Sequence, residues 1–395
     1  RLQFKDDGTL EIGGIVYNEM KGNYSSHDSI AAEYCFRSLF PDTVYAHDSG
    51  GDPKDIPSLT YEQFKAFHEH FYHPSNARIV LYGNIPTEQY LEFLDREFLK
   101  HFDRREIPET VPLQGKWSEP RHVETTYPAE DGDGDLSERT SVTMNWLLDP
   151  VTDTDNLLLA SVMADILVGH SGSPLQKALV ESDLGQDLSP VLGLEADLQQ
   201  LVFSAGLRGT DSDKTAQIES LIMETLSTVA SDGIDPELLE GSLRRVEFQT
   251  RELKSGPNGL RVMGRALRRW NYDGDPAEGL LLSKRIDALR ERLRGEPQLF
   301  EKAIKAYLID NPHRSTVVVK PDGQQAERED REIKEKLAER RSQLSDVQEQ
   351  TIRSQADELT QLQAEPDCPE DLAKIPYLAL SDIPREILKI SHEES

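Results

Sequence analysis

The chain has 395 residues, 37% of them hydrophobic, with 72 acidic against 44 basic side chains and a formal net charge of −28. That length can bury two separate apolar cores, and the hydrophobic share lies well above that of a disordered chain. So strong an acidic excess excludes binding to a nucleic-acid backbone, which needs Lys and Arg to displace counterions, and no apolar run reaches the roughly 18 residues that span a bilayer. The acidity suits a chamber that attracts basic peptides, and equally a plain gain in solubility. Two cysteines are too few for a disulfide framework, which fits a reducing compartment, and Cys35 reads as a small core residue.

The first residues read as a short strand-and-loop stretch that leads into Gly13-Gly14-Ile15-Val16-Tyr17-Asn18-Glu19-Met20-Lys21-Gly22. Ile15, Val16 and Tyr17 form an apolar run before Glu19, and Met20 follows it. This segment is therefore expected to be packed, with the carboxylate in need of a partner. Ser25 or Ser26 can cap a helix through Ile30, Cys35, Phe36 and Leu39, which Pro41 stops. A second helix from about Tyr61 to Tyr72 aligns Phe64, Phe67 and Phe71 on one face. After the turn at Pro74-Ser75-Asn76, Ala77 to Tyr82 reads as an apolar strand ending at Gly83-Asn84. Pro86 and Thr87 open a helix through Tyr90, Leu91, Leu94 and Phe98. The polar, Pro-containing stretch 104–116 reads as a linker.

Beyond the linker, Ser141 to Leu147 reads as a strand and Asn156 to Val168 as a buried helix. Ser173-Pro174 starts a helix through Leu175, Ala178 and Leu179, with proline where its missing N–H costs nothing. Leu201 to Leu207 is a strand, Asp211 to Ala230 an amphipathic helix closed by Asp232-Gly233, and Asp235-Pro236 caps a long helix toward Lys254. A faint repeat pairs the early helix, His73-Pro74-Ser75-Asn76 turn and strand with a helix from Leu299 to Leu308, the turn Asn311-Pro312-His313-Arg314 and a strand from Thr316 to Val319. The repeat suggests two similar α+β units. From Gln324 to about Gln363 the chain turns charged and glutamine-rich. Ile333, Leu337 and Leu344 mark one apolar stripe, and Ser345 with Gln348 signs the cap of a second helix carrying Ile352, Leu359 and Leu362. An antiparallel helical hairpin is the natural reading, ended by Pro366 and Pro369. Pro376-Tyr377-Leu378-Ala379-Leu380 reads as the start of a further unit.

Several multi-residue stretches occur in an order that resembles the presequence proteases of the pitrilysin family of zinc peptidases. They are Tyr17-Asn18-Glu19-Met20-Lys21-Gly22, Leu39-Phe40-Pro41-Asp42, Ser49-Gly50-Gly51-Asp52-Pro53, His73-Pro74-Ser75-Asn76-Ala77-Arg78, Tyr82-Gly83-Asn84, Ser173-Pro174-Leu175, Glu181-Ser182, Leu184-Gly185, Trp270-Asn271 and Asp273-Gly274-Asp275-Pro276. The resemblance implies a clamshell whose halves are each built from two related α+β domains and joined by a helical hairpin. Mapped onto this chain, residues 1–110 would be the later part of the zinc-binding domain and 111–323 a second, non-catalytic α+β domain. Residues 324–366 would be the hairpin linker and 367–395 the start of the other half.

The resemblance also implies a site. In that family zinc is held by two histidines and a downstream glutamate, which here is Glu19, and the histidines belong to an inverted His-x-x-Glu-His motif whose glutamate is the general base. The chain begins at Arg1 and contains no His-x-x-Glu-His. The expectation is an internal fragment with Glu19 as its one zinc ligand, no catalytic residue and no identifiable substrate-contacting residue, inactive by itself. Within a monomeric complete protein it would serve the degradation of short unstructured peptides, such as cleaved targeting presequences, in the mitochondrial matrix or plastid stroma. A non-catalytic scaffold or partner subunit of the same family is the competing reading, and a zinc-independent peptide-binding module a third.

Two other clusters fail on spacing. In His68-Glu69-His70-Phe71-Tyr72-His73 the first two histidines are two apart and do not share a helix face, and the third precedes a proline. In Asp131-Gly132-Asp133-Gly134-Asp135 the calcium-loop pattern breaks at Leu136 and Val142, which leaves a solvated acidic loop. Gly50-Gly51-Asp52-Pro53 reads as a structural turn in which glycine supplies positive φ, and Trp270 with Tyr272 as core and turn.

Overall fold

The computed structural model describes residues 1–106, 110–129, 135–251 and 257–386. In chain order the elements are β1 (Leu2–Phe4), β2 (Leu10–Ile12), α1 (Ile15–Asn23), α2 (His27–Arg37), α3 (Tyr61–Phe71), α4 (Thr87–Glu97), β3 (Arg121–Pro128) and β4 (Thr140–Pro150). There follow α5 (Thr154–Val168), α6 (Pro174–Val180), β5 (Asp187–Leu188), β6 (Gly193–Glu195), β7 (Gln200–Thr210), α7 (Thr215–Asp232), α8 (Pro236–Arg251), α9 (Asn258–Trp270) and α10 (Leu282–Gly295). The last are α11 (Leu299–Ile304), β8 (Arg314–Asp322), α12 (Gln325–Ser342), α13 (Asp346–Ala364) and α14 (Pro369–Leu372). The fold is α+β, and it falls into two compact units: Gly14–Glu332, and Arg1–Gly13 with Ile333–Ser395.

The larger unit is organised by a mixed sheet of order β3-β8-β4-β7-β5, with β6 also pairing β7. β3 runs parallel to β8, and the other pairs are antiparallel. β4 is buried along its first nine residues, so both of its faces are covered. Val142, Met144, Trp146 and Leu148 point to one side, into the main core with α5, α6, α7 and α11. Trp146 is fully buried, and its indole N–H donates to the Leu308 carbonyl at 2.8 Å. α5 is apolar over most of its surface and buries ten of its fifteen residues, as a helix at the centre of a core must.

The opposite face of the sheet carries small polar side chains and is covered by α2. Ile30, Ala31 and Cys35 of that helix pack on Val317 and Val319 of β8. The row of sheet hydroxyls is satisfied across the contact: His27 Nε2 lies 3.1 Å from Ser141 Oγ, and Ser38 Oγ 2.7 Å from Ser315 Oγ. Asn145, fully buried, accepts from Ser204 Oγ at 2.7 Å. Cys35 is fully buried, and burial pushes its thiol up to about 12.

In the smaller unit β1 and β2 form a hairpin in the register Gln3↔Glu11, turned at Gly8 with φ 79°. α13 packs against β1, and the Arg353 guanidinium lies 4.0 Å from the Phe4 ring centroid. The capping box at Ser345 and Gln348 forms as its sequence signature requires.

Three expectations need correction. Ala77 to Tyr82 forms no strand: Ile79, Leu81 and Tyr82 are 41%, 48% and 60% exposed, and no described strand lies beside them to complete a ladder. The first copy of the faint repeat therefore lacks its third element. The Phe64, Phe67, Phe71 face of α3 exists but is uncovered, and neither α3 nor α4 buries a single residue. Ile15 and Val16 are 84% and 57% exposed, although Tyr17 and Met20 beside them are buried. Smaller departures are a 3-10 turn at Ser212–Lys214 ahead of α7 and a π-helical turn at Lys305–Ile309 that ends the helix begun by α11. Residues 131–134 of the acidic loop lie outside the described residues.

Candidate functional site

α1 starts abruptly after Gly14, whose φ of 163° and ψ of 140° set an extended approach, and no side chain caps it. Its two faces differ sharply. Tyr17 and Met20, three residues apart, point inward. Ile15, Val16 and Glu19, spaced by three and four residues, share the outward face, with Glu19 exposed between two uncovered aliphatic side chains.

The inward face rests on the glycine turn singled out in the sequence. A side chain at Gly50 would stand 2.3 Å from Met20 Sδ, so any larger residue there would have to displace the Met20 thioether. Gly51 holds φ 88°, which favours glycine for a separate reason. The loop is stiffened by Asp48, which accepts from the Gly50 N–H at 2.8 Å, and by Asp52, which accepts from the Lys54 N–H at 2.8 Å.

Behind α1 a cavity of about 290 Å³ is lined by Tyr24, Glu33 and Asp48 among others. The Tyr24 hydroxyl is buried, has no hydrogen-bond partner among the described residues, and is held un-ionised first by burial and then by the Asp48 and Asp52 charges. Burial, and then the Asp48 charge, raise the Glu33 carboxyl above the usual range, with Arg37 opposing. The ground beneath α1 is thus acidic and sparing in donors.

The expected metal ligand stands alone. Zinc takes three or four protein donors, and among the described residues no group of three or more His, Cys, Asp or Glu is gathered. The residues present do not by themselves fit the ion. His68 stacks on Tyr72 with centroids 4.6 Å apart, His70 packs edge-on to Phe71, and His73 Nδ1 accepts from the Ser75 N–H at 3.1 Å. Trp270 receives Arg78 over its ring, and the Tyr272 hydroxyl meets that of Tyr45 at 2.7 Å; Trp270 and Tyr272 are both half-buried.

Residues 58–246 match the family model described as peptidase M16 inactive domain, and residues 319–395 match the model of the segment associated with subfamily C of the same peptidases. The chain belongs to the M16 peptidase family. This M16 chain is 36% identical over 395 residues to Protein HypA of Clostridium perfringens, covering 100% of the chain and 40% of that protein. It is 37% identical over 384 residues to presequence protease 1, chloroplastic/mitochondrial, of Arabidopsis thaliana, covering 95% of the chain and 35% of that protein. The chain therefore spans well under half the length of these curated relatives. A crystal structure of a peptidase M16 inactive domain from Pseudomonas fluorescens superposes with a TM-score of 0.58 at 18% identity, covering 78% of the chain and 70% of that one, which speaks for the fold alone. Family membership with an inactive-type domain assigns no catalytic activity to this M16 chain.

Proposed function

We propose that this chain is part of a zinc metalloendopeptidase that degrades short unstructured peptides such as cleaved targeting presequences, and that Glu19 is its contribution to the metal. The observation that carries the reading is the outward face of α1. Ile15 and Val16, 84% and 57% exposed, are costly to leave in water, and cover over them would enclose Glu19, whose carboxylate would then need a cation as partner. The presequence-protease relatives, alike over 95% of the chain, support the same reading.

On this account two histidines and a general-base glutamate come from polypeptide outside these residues. The same additional polypeptide covers the apolar surface of α3 and α4, where Ala77 to Tyr82 gains strand partners. The division into 1–110, 111–323, 324–366 and 367–395 is part of the proposal, as is residence in the mitochondrial matrix or plastid stroma. When bound, zinc would supply a water of lowered pKa at the peptide carbonyl; what this chain supplies is one oxygen ligand on a helix backed by a rigid loop.

A second reading, a non-catalytic scaffold or partner subunit, is favoured by the inactive-domain match over residues 58–246. Expression of the complete reading frame separates the two. Zinc-dependent cleavage of a basic, unstructured peptide, lost on Glu19→Ala together with most of the bound zinc, supports the peptidase. A reading frame without an intact His-x-x-Glu-His, or zinc and activity unchanged by Glu19→Ala, refutes it. The 395-residue chain alone is expected to cleave nothing.

A further inference from the structure

The larger unit holds a second cavity, of about 530 Å³, walled by α5, β6 and α8 on one side and by α9 on the other. That volume suits a small organic ligand. Leu157, Leu158, Val168, Leu194 and Val246 make one wall apolar. Three guanidinium groups, Arg265, Arg268 and Arg269, make the other, and Asp165 is the one carboxylate among the described residues of the lining. Asp165 is already engaged, accepting from Arg245 Nε at 2.8 and 3.0 Å. In a chain of net charge −28, three arginines among the described residues of one cavity are a local concentration of positive side chains.

The arginines of this wall have partners in the protein. Arg268 reaches one oxygen of Asp197, with Nε at 3.1 Å and Nη2 at 3.0 Å, and that aspartate is on the rim, 77% exposed. Arg269 shares Glu278 with Arg285, which also pairs with Asp155 at 2.6 Å. Arg265 donates to the Gln249 carbonyl at 3.4 Å among its contacts. Two lining groups have buried polar atoms with no hydrogen-bond partner among the described residues: Arg269 Nε, on a side chain 12% exposed, and Thr154 Oγ1, on a residue 5% exposed. Buried donors left unmatched are costly, and a ligand oxygen would relieve both. Burial, and then the charge of neighbouring arginines, disfavours the protonated forms of Arg265 and Arg269, with Asp275, Asp153 and Asp155 opposing at Arg269.

We propose that this cavity binds an aliphatic carboxylate, its anionic head against Arg268, Arg269 and Thr154 and its apolar body along α5 and Val246. A free fatty acid and the terminal carboxyl of a peptide with apolar last residues share that chemistry. Charge-assisted hydrogen bonds to guanidinium supply orientation, and the apolar wall selects against small hydrophilic anions. The proposal is independent of the metal reading, since none of these residues belongs to α1.

Calorimetric titration of the 395-residue chain tests it with four probes: decanoate, decanol, acetyl-trileucine as the free acid, and the same peptide as its amide. Decanoate or the peptide acid should bind at least about tenfold more tightly than its uncharged counterpart. The stronger of the two acids identifies the source. Arg268→Ala, which removes a cation paired with a rim aspartate, should weaken binding about fivefold or more. Ser161→Leu, which fills the cavity from α5 without changing charge, should abolish it while the thermal transition persists. Equal binding of acid and uncharged probe, binding of neither acid at millimolar concentration, or undiminished affinity in both folded variants would overturn the proposal.

Discussion

Helix α5 buries ten of its fifteen residues, whereas α3 buries none although Phe64, Phe67 and Phe71 line one of its faces. Both sequences announce an apolar surface. The difference lies in what reaches that surface. α5 is met by α6, β6, α8, α10 and α11, elements drawn from some 150 positions of chain, and each closes part of its circumference. α3 and the stretch after it are tethered mainly by polar contacts, with Arg78 to Asp273 at 3.0 Å and Tyr82 to Asn258 at 3.0 Å. Apolar pattern states which face should be covered; the supply of long-range neighbours decides whether it is.

The largest effect expected from breaking this contrast is at Trp146. Trp146→Ala should cost about 3–5 kcal/mol in urea unfolding, because a buried ring and its hydrogen bond are both lost. Phe67→Ala in the same chain should stay within about 0.5 kcal/mol, since its ring is 59% exposed. Similar losses at the two sites would remove the distinction drawn here.

A smaller effect sharpens the comparison from the core side. His313 is 1% exposed, stacked on Trp117 at 3.9 Å, with Nε2 3.0 Å from the Leu39 carbonyl and Nδ1 accepting from the Trp117 N–H at 3.3 Å. Both ring nitrogens are satisfied only in the neutral form, and burial lowers the native pKa below the ordinary 6.5. The unfolded chain therefore takes up the proton first, and stability present above pH 6.5 is lost as the pH falls through that value. Stability should decline from pH 7.5 to 5.5 by up to about 1.4 kcal/mol per pH unit from this group, and His313→Gln should flatten the slope despite lower stability overall. An unchanged slope would place the acid sensitivity elsewhere.

The smallest expected effect concerns Glu33. Its native pKa is raised, so its ionisation works against the fold as pH rises through the carboxylate range, and Glu33→Gln should raise the melting temperature slightly at pH 7. The gap should close below about pH 4, where the wild-type carboxyl is protonated in both states. A lower melting temperature at pH 7 would mean that its pairing with Arg37 outweighs its desolvation.

Much of the sheet and its helices is legible from residue pattern. Capping at Ser26 and Ser345, the proline start at Pro174, the buried run of Asn156 to Val168 and the strand patterns of β4, β7 and β8 all rest on local chemistry that the fold respects. β3 escapes such a reading because Arg121 to Pro128 is mostly polar, and its place beside β8 comes from a parallel pairing across nearly two hundred residues. α9 escapes it too, although arginines at 261, 265, 268 and 269 follow helical spacing and can be found by counting charge on one face. The apolar run of Ile15 and Val16 misleads for the reason that governs α3: hydrophobicity states a demand for cover without naming its source. Glu19 itself is legible only through the motif around it, since a lone exposed carboxylate carries no physical mark of a ligand.

Amide hydrogen exchange over Ile79 to Leu81, compared between the 395-residue chain and the protein made from the complete reading frame, tests most directly the claim that this uncovered apolar surface is an interior face. The account predicts rapid exchange in the former and strong protection in the latter, as Ala77 to Tyr82 takes its place in a sheet. Equally rapid exchange in both would contradict it.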